Sequence, residues 1–100
     1  RVGSVAVYTY IVASSRNGTL YTGSTDSIEV RTSEHKQKLR AGFTAKYGVD
    51  QLVWYEAHEA RDTAFKRERQ IKKWKRIWKL ELIERANSLW RDLFDDLFAP

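Results

Sequence analysis

The Asn17-Gly18 pair is the sequence feature that most constrains the fold, because it lies between two short runs of β-branched and aromatic residues. Asn-Gly is a preferred centre for a two-residue β-hairpin turn, since a type I′ turn needs positive φ angles at both central residues. β-Branched and aromatic side chains are typical of strands. The sequence therefore predicts a β-hairpin with strands over 5–12 and 19–23.

The predicted hairpin determines which side chains share a face of the sheet. A two-residue turn places position 12 opposite position 23, and position 14 opposite position 21. Because successive side chains along a strand point to opposite faces, Tyr8, Tyr10 and Tyr21 are predicted to share one face. Two phenols, those of Tyr10 and Tyr21, would then lie side by side. The other face would carry Val7, Ile11, Leu20 and Thr22.

A helix is predicted to begin at Asp26, with Glu29 three residues later in a variant of the capping box. Arg31 and His35 are one helical turn apart, so their side chains project from the same face of this helix. The helix follows directly on the second strand. A guanidinium and an imidazole are therefore expected near the two phenols.

The remaining elements follow from apolar periodicity and from glycine. Ile28 and Leu39 would supply the buried side of the first helix, which should end by Gly42, where glycine can adopt a left-handed conformation. A loop is predicted over 43–50, with Gly48 as a further break. The later elements are a strand over 51–57, a helix over 60–75, a separate short helix after a break near Lys75, and a final helix over 88–98.

One hundred residues with an ordinary apolar content predict a single domain over 1–100. No apolar run approaches the roughly 18 residues of a membrane span. The chain has no cysteine, which excludes a disulfide framework and any thiolate metal site. Its formal net charge of +5 favours an anionic partner, with nucleic acid first and an acidic membrane surface second. We expect a cytoplasmic, nucleoid-associated protein and favour a monomer.

The helix predicted over 60–75 carries much of the positive charge, in a basic run where Glu68 is the only acidic residue. Glu68 lies on an apolar helical stripe, so it would point towards the body of the protein. Trp74 and Trp78 would also point inward. The cations on the outer surface would contact phosphates without reading the base sequence. They are Lys66, Arg67, Arg69, Lys72, Lys73, Lys75 and Arg76.

The order and spacing of these residues resemble the GIY-YIG nuclease signature, and in particular the small single-domain bacterial members related to the nuclease domain of the excision-repair incision subunit. Tyr8-Thr9-Tyr10 stands where the family has Gly-Ile-Tyr, and Tyr21-Thr22-Gly23 stands at the second motif. Arg31 and His35 follow at spacings that the family uses, and Glu68 stands in the Arg-Glu-(basic)-Gln-Ile-Lys context of the family's metal-binding glutamate. The resemblance also includes Gly42-Phe43-Thr44, Trp54-Tyr55-Glu56 and the run from Arg67 to Lys75, and so covers most of the chain.

This resemblance implies a compact α/β domain with a three-stranded, mainly antiparallel sheet flanked by helices. It implies metal-dependent endonucleolytic hydrolysis of DNA, in DNA repair or processing. Glu68 would hold one divalent cation, Mg²⁺ or Mn²⁺, and Arg31 would clamp the scissile phosphate. Tyr10 would orient the water or a phosphate oxygen. Either Tyr21 or His35 would take the proton from the nucleophilic water.

Two other classes of function stay open, because only the tyrosine of the first motif is kept and Thr22 replaces an apolar residue of the second. One is a catalytically weak or inactive nucleic-acid-binding module of the same fold. The other is a protein-interaction subunit whose C-terminal helix docks on a partner through Leu89, Trp90, Leu93, Leu97 and Phe98. The preferred nucleic acid, whether duplex, flap, branched or single-stranded DNA or RNA, also stays open.

Overall fold

A three-stranded antiparallel sheet organises the computed structural model, which describes residues 6–38 and 42–98. Its strands are β1 (Val7–Ala13), β2 (Leu20–Thr25) and β3 (Gln51–His58). β1 is central and pairs with the other two in the order β2-β1-β3. The predicted α/β class and antiparallel third strand are confirmed, and β2 forms one edge of the sheet.

The hairpin register differs from the predicted one by two residues. Tyr10 lies opposite Gly23 and Val12 lies opposite Tyr21. The connection is a four-residue loop over 15–18, closed by the Ser14 N–H donating to the Thr19 carbonyl at 3.0 Å. Because the shift is an even number of residues, the predicted faces are unchanged: the three tyrosines of the hairpin still share one face.

Contacts outside the turn explain why the two-residue turn does not form. Asn17 has the positive φ of 58° that was expected, but Gly18 does not adopt a positive φ. The Ser14 hydroxyl accepts a hydrogen bond from the Thr19 N–H at 2.9 Å. Arg76, from a distant helix, donates to the carbonyl oxygens of Asn17 and Gly18 at 2.7 Å each. These bonds stabilise the wider loop.

In the described part of the chain, four α-helices surround the sheet: α1 (Ile28–Lys36), α2 (Phe43–Tyr47), α3 (Arg61–Lys73) and α4 (Arg76–Ala86). The break near Lys75 between α3 and α4 is confirmed. The predicted capping box is wrong, because Ser27 is the N-cap of α1 and makes no side-chain cap hydrogen bond. Asp26 instead forms an ion pair with Arg61 of α3, with 2.5 Å between the charged atoms.

The segment after α1 is more structured than predicted. α1 ends at Lys36, so Gly42 does not end it; Gly42 is the N-cap of α2, in place of the predicted loop. Gly48 ends α2 in the left-handed conformation, with a φ of 64°. Leu39, expected on the buried side of α1, lies outside the described residues, whereas Ile28 is buried as predicted.

The predicted C-terminal helix is wrong. After α4 the described chain has only a 3₁₀ helix, Asp95–Phe98, and Trp90 takes a positive φ of 57°. Asn87 explains the change of direction. Its Nδ2 donates to the carbonyls of Val53 (3.1 Å) and Arg91 (2.8 Å), and its Oδ1 accepts from the Arg91 N–H at 3.0 Å. These bonds hold the segment against β3 in an irregular form.

The core has two layers, one on each face of the sheet. Residues of β1 and β3 pack against Ile71 of α3 and Ile83 of α4 on one face. On the other face Tyr10, Val12 and Leu52 pack against Ile28 of α1. Within 6–38 and 42–98 there is no helix with the length and apolar character needed to cross a membrane. α3 also contacts β2 at the edge of the sheet.

Candidate active site at the β2 edge

Tyr10 lies at the centre of the site, buried on β1 and directly opposite Gly23 of β2. A Cβ atom added at position 23 would lie 2.7 Å from the Tyr10 phenol oxygen. That distance is too short for any side chain at position 23. Gly23 therefore allows the Tyr10 ring to lie across the edge strand and brings its hydroxyl to the site.

His35 connects Tyr10 to α2. Its Nε2 lies 3.0 Å from the Tyr10 hydroxyl, and its Nδ1 lies 3.1 Å from the hydroxyl of Thr44. The imidazole is only 4% exposed, and its centroid is 5.8 Å from the rings of both Tyr10 and Tyr21. Sequence reasoning assigned no role to Thr44, although Thr44 lies within the Gly-Phe-Thr motif.

Glu68 reaches the N-terminal hairpin from α3, as the sequence predicts. Its Oε1 accepts a hydrogen bond from the Ser24 hydroxyl at 2.6 Å. Ser24 follows Gly23 on β2, so this contact holds the carboxylate at the edge strand. The Glu68 side chain is only 15% exposed. The one acid of the basic run thus faces the site.

Lys72 connects Glu68 to the second phenol. Its Nζ lies 2.7 Å from Glu68 Oε2 and 5.5 Å from the centroid of the Tyr21 ring. Sequence reasoning placed Lys72 among the phosphate-contacting cations and missed both contacts. The i,i+4 spacing from Glu68 is a signal that could have indicated the ion pair.

Arg31 lies on α1 at the open side of the site, and its side chain is partly exposed. Its Nε is 3.4 Å from Glu34 Oε1, so the surface ion pair that a helical arginine commonly makes is present. The guanidinium also lies close enough to the Tyr10 hydroxyl for its positive charge to lower the pKa of that phenol. Arg31 therefore lies beside the buried phenol while remaining accessible to an anion.

The pKa of Tyr10 shows that these side chains share one electrostatic environment. Burial raises the pKa of Tyr10 to about 12, and Tyr21 adds to the increase. Arg31 lowers this pKa and Glu68 raises it by smaller amounts. Tyr10 therefore stays protonated at neutral pH and can act as a hydrogen-bond donor, but not as a base.

The family is decided by comparison with known proteins. A family model described as the GIY-YIG catalytic domain matches residues 6–81. The chain belongs to the GIY-YIG family. GIY-YIG is a nuclease family, and the predicted resemblance is confirmed.

Several small GIY-YIG relatives are similar to this chain over most of its length. A UPF0213 protein from Haloquadratum walsbyi is 37% identical over 82 residues, covering 82% of this chain and 91% of that protein. UPF0213 proteins from Staphylococcus aureus are 36% identical over 77 residues, covering 77% of this chain and 93% of each of those proteins. The solution NMR structure of a UPF0213 protein from Bacillus halodurans matches with a TM-score of 0.55 and 25% identity, covering 87% of this chain and 92% of that one. The covered shares indicate relatives of similar length, and the Bacillus halodurans structure shares the α/β fold.

The basic run of this GIY-YIG chain is divided between two sides of α3. Lys72 faces β2, whereas Arg67 faces β3, where its Nε donates to Glu56 Oε1 at 3.1 Å. The Arg67 guanidinium lies 5.9 Å from the Trp54 ring and 5.4 Å from the Trp74 ring, which favours a packing role. Arg76 holds the hairpin loop. Lys66, Arg69, Lys73 and Lys75 are exposed, and their contact with nucleic acid stays a prediction.

The two tryptophans also differ in their environment. Trp74 is partly buried and packs against the core, as predicted. Trp78 is 48% exposed, so its predicted inward position is wrong. The reason is the break between α3 and α4, which ends the helical stripe on which the prediction depends.

The donor set fits a divalent cation that is held mainly by its substrate. The described ranges contain no group of three or more His, Cys, Asp or Glu side chains that could form a complete metal cage. Mg²⁺ commonly binds to one or two carboxylates, with water and substrate phosphates as its other ligands. Glu68 can supply that one carboxylate, although Lys72 would compete for its Oε2.

The buried Tyr10 phenol predicts a loss of stability in alkali. The folded pKa of about 12 exceeds the ordinary value of 10.0. Below pH 10.0 the phenol keeps its proton in both the folded and the unfolded chain, so the free energy of unfolding has its full value. Above pH 10.0 the unfolded chain loses the proton first, which lowers the free energy of unfolding by about 2 kcal/mol at pH 12. Urea unfolding followed by circular dichroism should show a smaller alkaline loss for Tyr10→Phe than for wild type. Tyr55→Phe is the control, and an equal loss in Tyr10→Phe would contradict the prediction.

Proposed function

We propose that this chain is an endonuclease that hydrolyses phosphodiester bonds of DNA with one divalent cation, Mg²⁺ or Mn²⁺. One observation carries the proposal. Side chains from β1, β2, α1 and α3 meet at a single edge of the sheet, and their types suit phosphodiester hydrolysis. They are Tyr10, Tyr21, Arg31, His35 and Glu68.

Positive charge at the site suits a phosphate. A phosphodiester is anionic, and its transition state gains further negative charge, so catalysis needs fixed cations at that position. The Arg31 fork matches two phosphate oxygens and is always ionised. Its partial exposure leaves it accessible to DNA, and its charge acts on the Tyr10 phenol.

Tyr21 is the better candidate for taking the proton from water. His35 is buried, and each of its ring nitrogens lies within hydrogen-bond distance of a hydroxyl group. Tyr21 is partly exposed, and the Lys72 ammonium lies 5.5 Å from the centroid of its ring. We therefore assign to His35 the positioning of Tyr10. The Tyr21 phenolate would accept the proton and become the phenol as the water oxygen attacks phosphorus and the P–O3′ bond breaks.

Glu68 would hold the cation. When bound, a divalent cation neutralises charge on the phosphate and stabilises the leaving 3′-oxygen. Ser24 fixes the orientation of the carboxylate through its 2.6 Å hydrogen bond. Tyr10, protonated at neutral pH, would donate a hydrogen bond to the water or to a phosphate oxygen.

The net charge of +5 supports DNA as the partner. We propose that the chain acts as a monomer in the cytoplasm, on nucleoid DNA, in repair or processing. Phosphate contacts from exposed lysines and arginines give affinity that falls as salt rises and that does not depend on base sequence. The exposed cations on α3 and at the start of α4 are suited to such contacts.

Supercoiled-plasmid nicking tests the proposed function directly. Purified protein should convert supercoiled plasmid to nicked circles with Mg²⁺ or Mn²⁺, and should give no product in EDTA. Product formation in EDTA would overturn the metal dependence. Salt-sensitive DNA binding without product at any metal concentration would instead identify the chain as a nucleic-acid-binding module of the same fold.

A further inference from the structure

Two exposed aromatic rings on α2 continue outward from the site. Phe43 is 47% exposed and Tyr47 is 49% exposed. The centroid of Phe43 lies 6.3 Å from that of Tyr21, with 32° between the ring planes, and 4.9 Å from that of Tyr47. Tyr21, Phe43 and Tyr47 therefore form a continuous row from the site to solvent, here called the aromatic row.

Core packing does not account for the aromatic row. The one buried residue that α2 contributes is Thr44, whose hydroxyl contacts His35 at 3.1 Å. That contact fixes α2 relative to the phenols, so the two exposed rings are held in position beside the site. Large aromatic surfaces left in water on a short helix are unfavourable. This arrangement suggests that the rings meet a ligand.

We propose that the aromatic row stacks with unpaired bases, so that the preferred substrate carries single-stranded nucleotides next to the scissile phosphate. This inference rests on the proposed nuclease function and names its substrate class. Every base has a π-face, so aromatic platforms bind single strands with little dependence on sequence. In a duplex each base is already stacked and paired, and must leave the helix to reach a protein ring.

Charge around the row favours nucleic acid over an apolar protein partner. Lys46 Nζ lies 5.4 Å from the Tyr47 ring at the outer end, and Lys72 lies over Tyr21 at the inner end. A strand whose scissile phosphate meets Arg31 would place adjacent bases along the row and adjacent phosphates near these ammonium groups. Alternating aromatic and cationic groups are the usual composition of a single-strand binding surface.

The test measures binding in EDTA, so that it does not depend on catalysis. Fluorescence anisotropy would compare a labelled single strand, the duplex of the same length and that duplex with a single-stranded flap. Wild type should bind the single strand and the flap about tenfold or more tightly than the plain duplex. Phe43→Leu combined with Tyr47→Leu keeps apolar volume but removes two π-faces. It should remove most of that preference and change duplex affinity by less than about twofold.

Phe98→Leu is the matched control, because Phe98 is an exposed aromatic residue outside the row and its loss should leave all three affinities unchanged. The single variant Tyr47→Leu should give an intermediate loss, and equal thermal unfolding midpoints would show that the fold is retained. Unchanged single-strand affinity in the double variant would overturn the proposal. So would a dimer in solution that Phe43→Leu dissociates. Nicking of plasmid could survive either result, which separates this inference from the proposed function.

Discussion

Glu68→Gln is expected to slow metal-dependent plasmid nicking by about 100-fold or more. Glutamine has nearly the same shape and can still accept the hydrogen bond from Ser24, but it lacks the negative charge that attracts a divalent cation. Losing several kcal/mol of transition-state stabilisation from the cation corresponds to that factor. Initial rates of nicking, measured over a range of Mg²⁺ and Mn²⁺ concentrations, would give the size of the loss.

Loss of the ion pair between Glu68 and Lys72 should have little effect on the stability of Glu68→Gln. A partly exposed pair contributes about 1 kcal/mol or less, so Glu68→Gln should unfold close to the wild-type temperature. Glu59→Gln is the matched control, because Glu59 is an exposed acid in the turn before α3 and should keep wild-type activity. Full nicking by Glu68→Gln would remove Glu68 as the cation ligand, and with it the proposed mechanism.

The faces of the hairpin could be predicted from the sequence, although its register could not. Side-chain alternation depends only on whether a register shift is odd or even, so Tyr8, Tyr10 and Tyr21 share a face in both registers. The loop length depends on Arg76, which contacts the loop from a helix about sixty residues later in the chain. The turn preferences of the loop residues therefore could not predict this contact.

The chemistry of the site was more predictable than its supporting contacts. Tyr10 and Glu68 follow from motif order and from helical spacing, and both lie at the β2 edge. Thr44 could not be found in this way, because α2 is a five-residue helix with one buried residue and no periodic pattern. The role of the Thr44 hydroxyl is seen only in the structure, where it lies within hydrogen-bond distance of His35. Short helices held by tertiary contacts are poorly indicated by sequence periodicity.

The C-terminal segment shows the opposite error, in which a helical pattern is present without a helix. Leu93 and Leu97 pack on the core and Trp90 is buried, whereas Leu89 and Phe98 are exposed, so only part of the apolar stripe faces inward. The side-chain amide of Asn87 nevertheless holds the main chain of Arg91 through hydrogen bonds that an α-helix would not make. Part of the apolar surface assigned to a docking partner is thus covered by the chain itself.

Arg31→Lys is expected to separate DNA binding from hydrolysis. Lysine keeps the positive charge but cannot present two parallel N–H groups to phosphate oxygens. Affinity for DNA in EDTA should therefore stay within about twofold of wild type, since one charge among many phosphate contacts is preserved. Nicking should fall by at least about tenfold, and by about 100-fold or more in Arg31→Ala, because the donors that stabilise the transition state are lost.

A second measurement shows whether Arg31 acts from the position that the structure gives it. The charge of Arg31 lowers the pKa of Tyr10, so Arg31→Ala, which removes that charge, should move the ionisation of Tyr10 to higher pH. Ultraviolet absorbance of the tyrosinates would follow the shift, with Arg85→Ala, an exposed arginine in the last turn of α4, as the matched control. If Arg31→Lys nicked DNA as fast as wild type, a point charge alone would suffice at the phosphate. The bidentate role would then be wrong, because only that role distinguishes the two side chains.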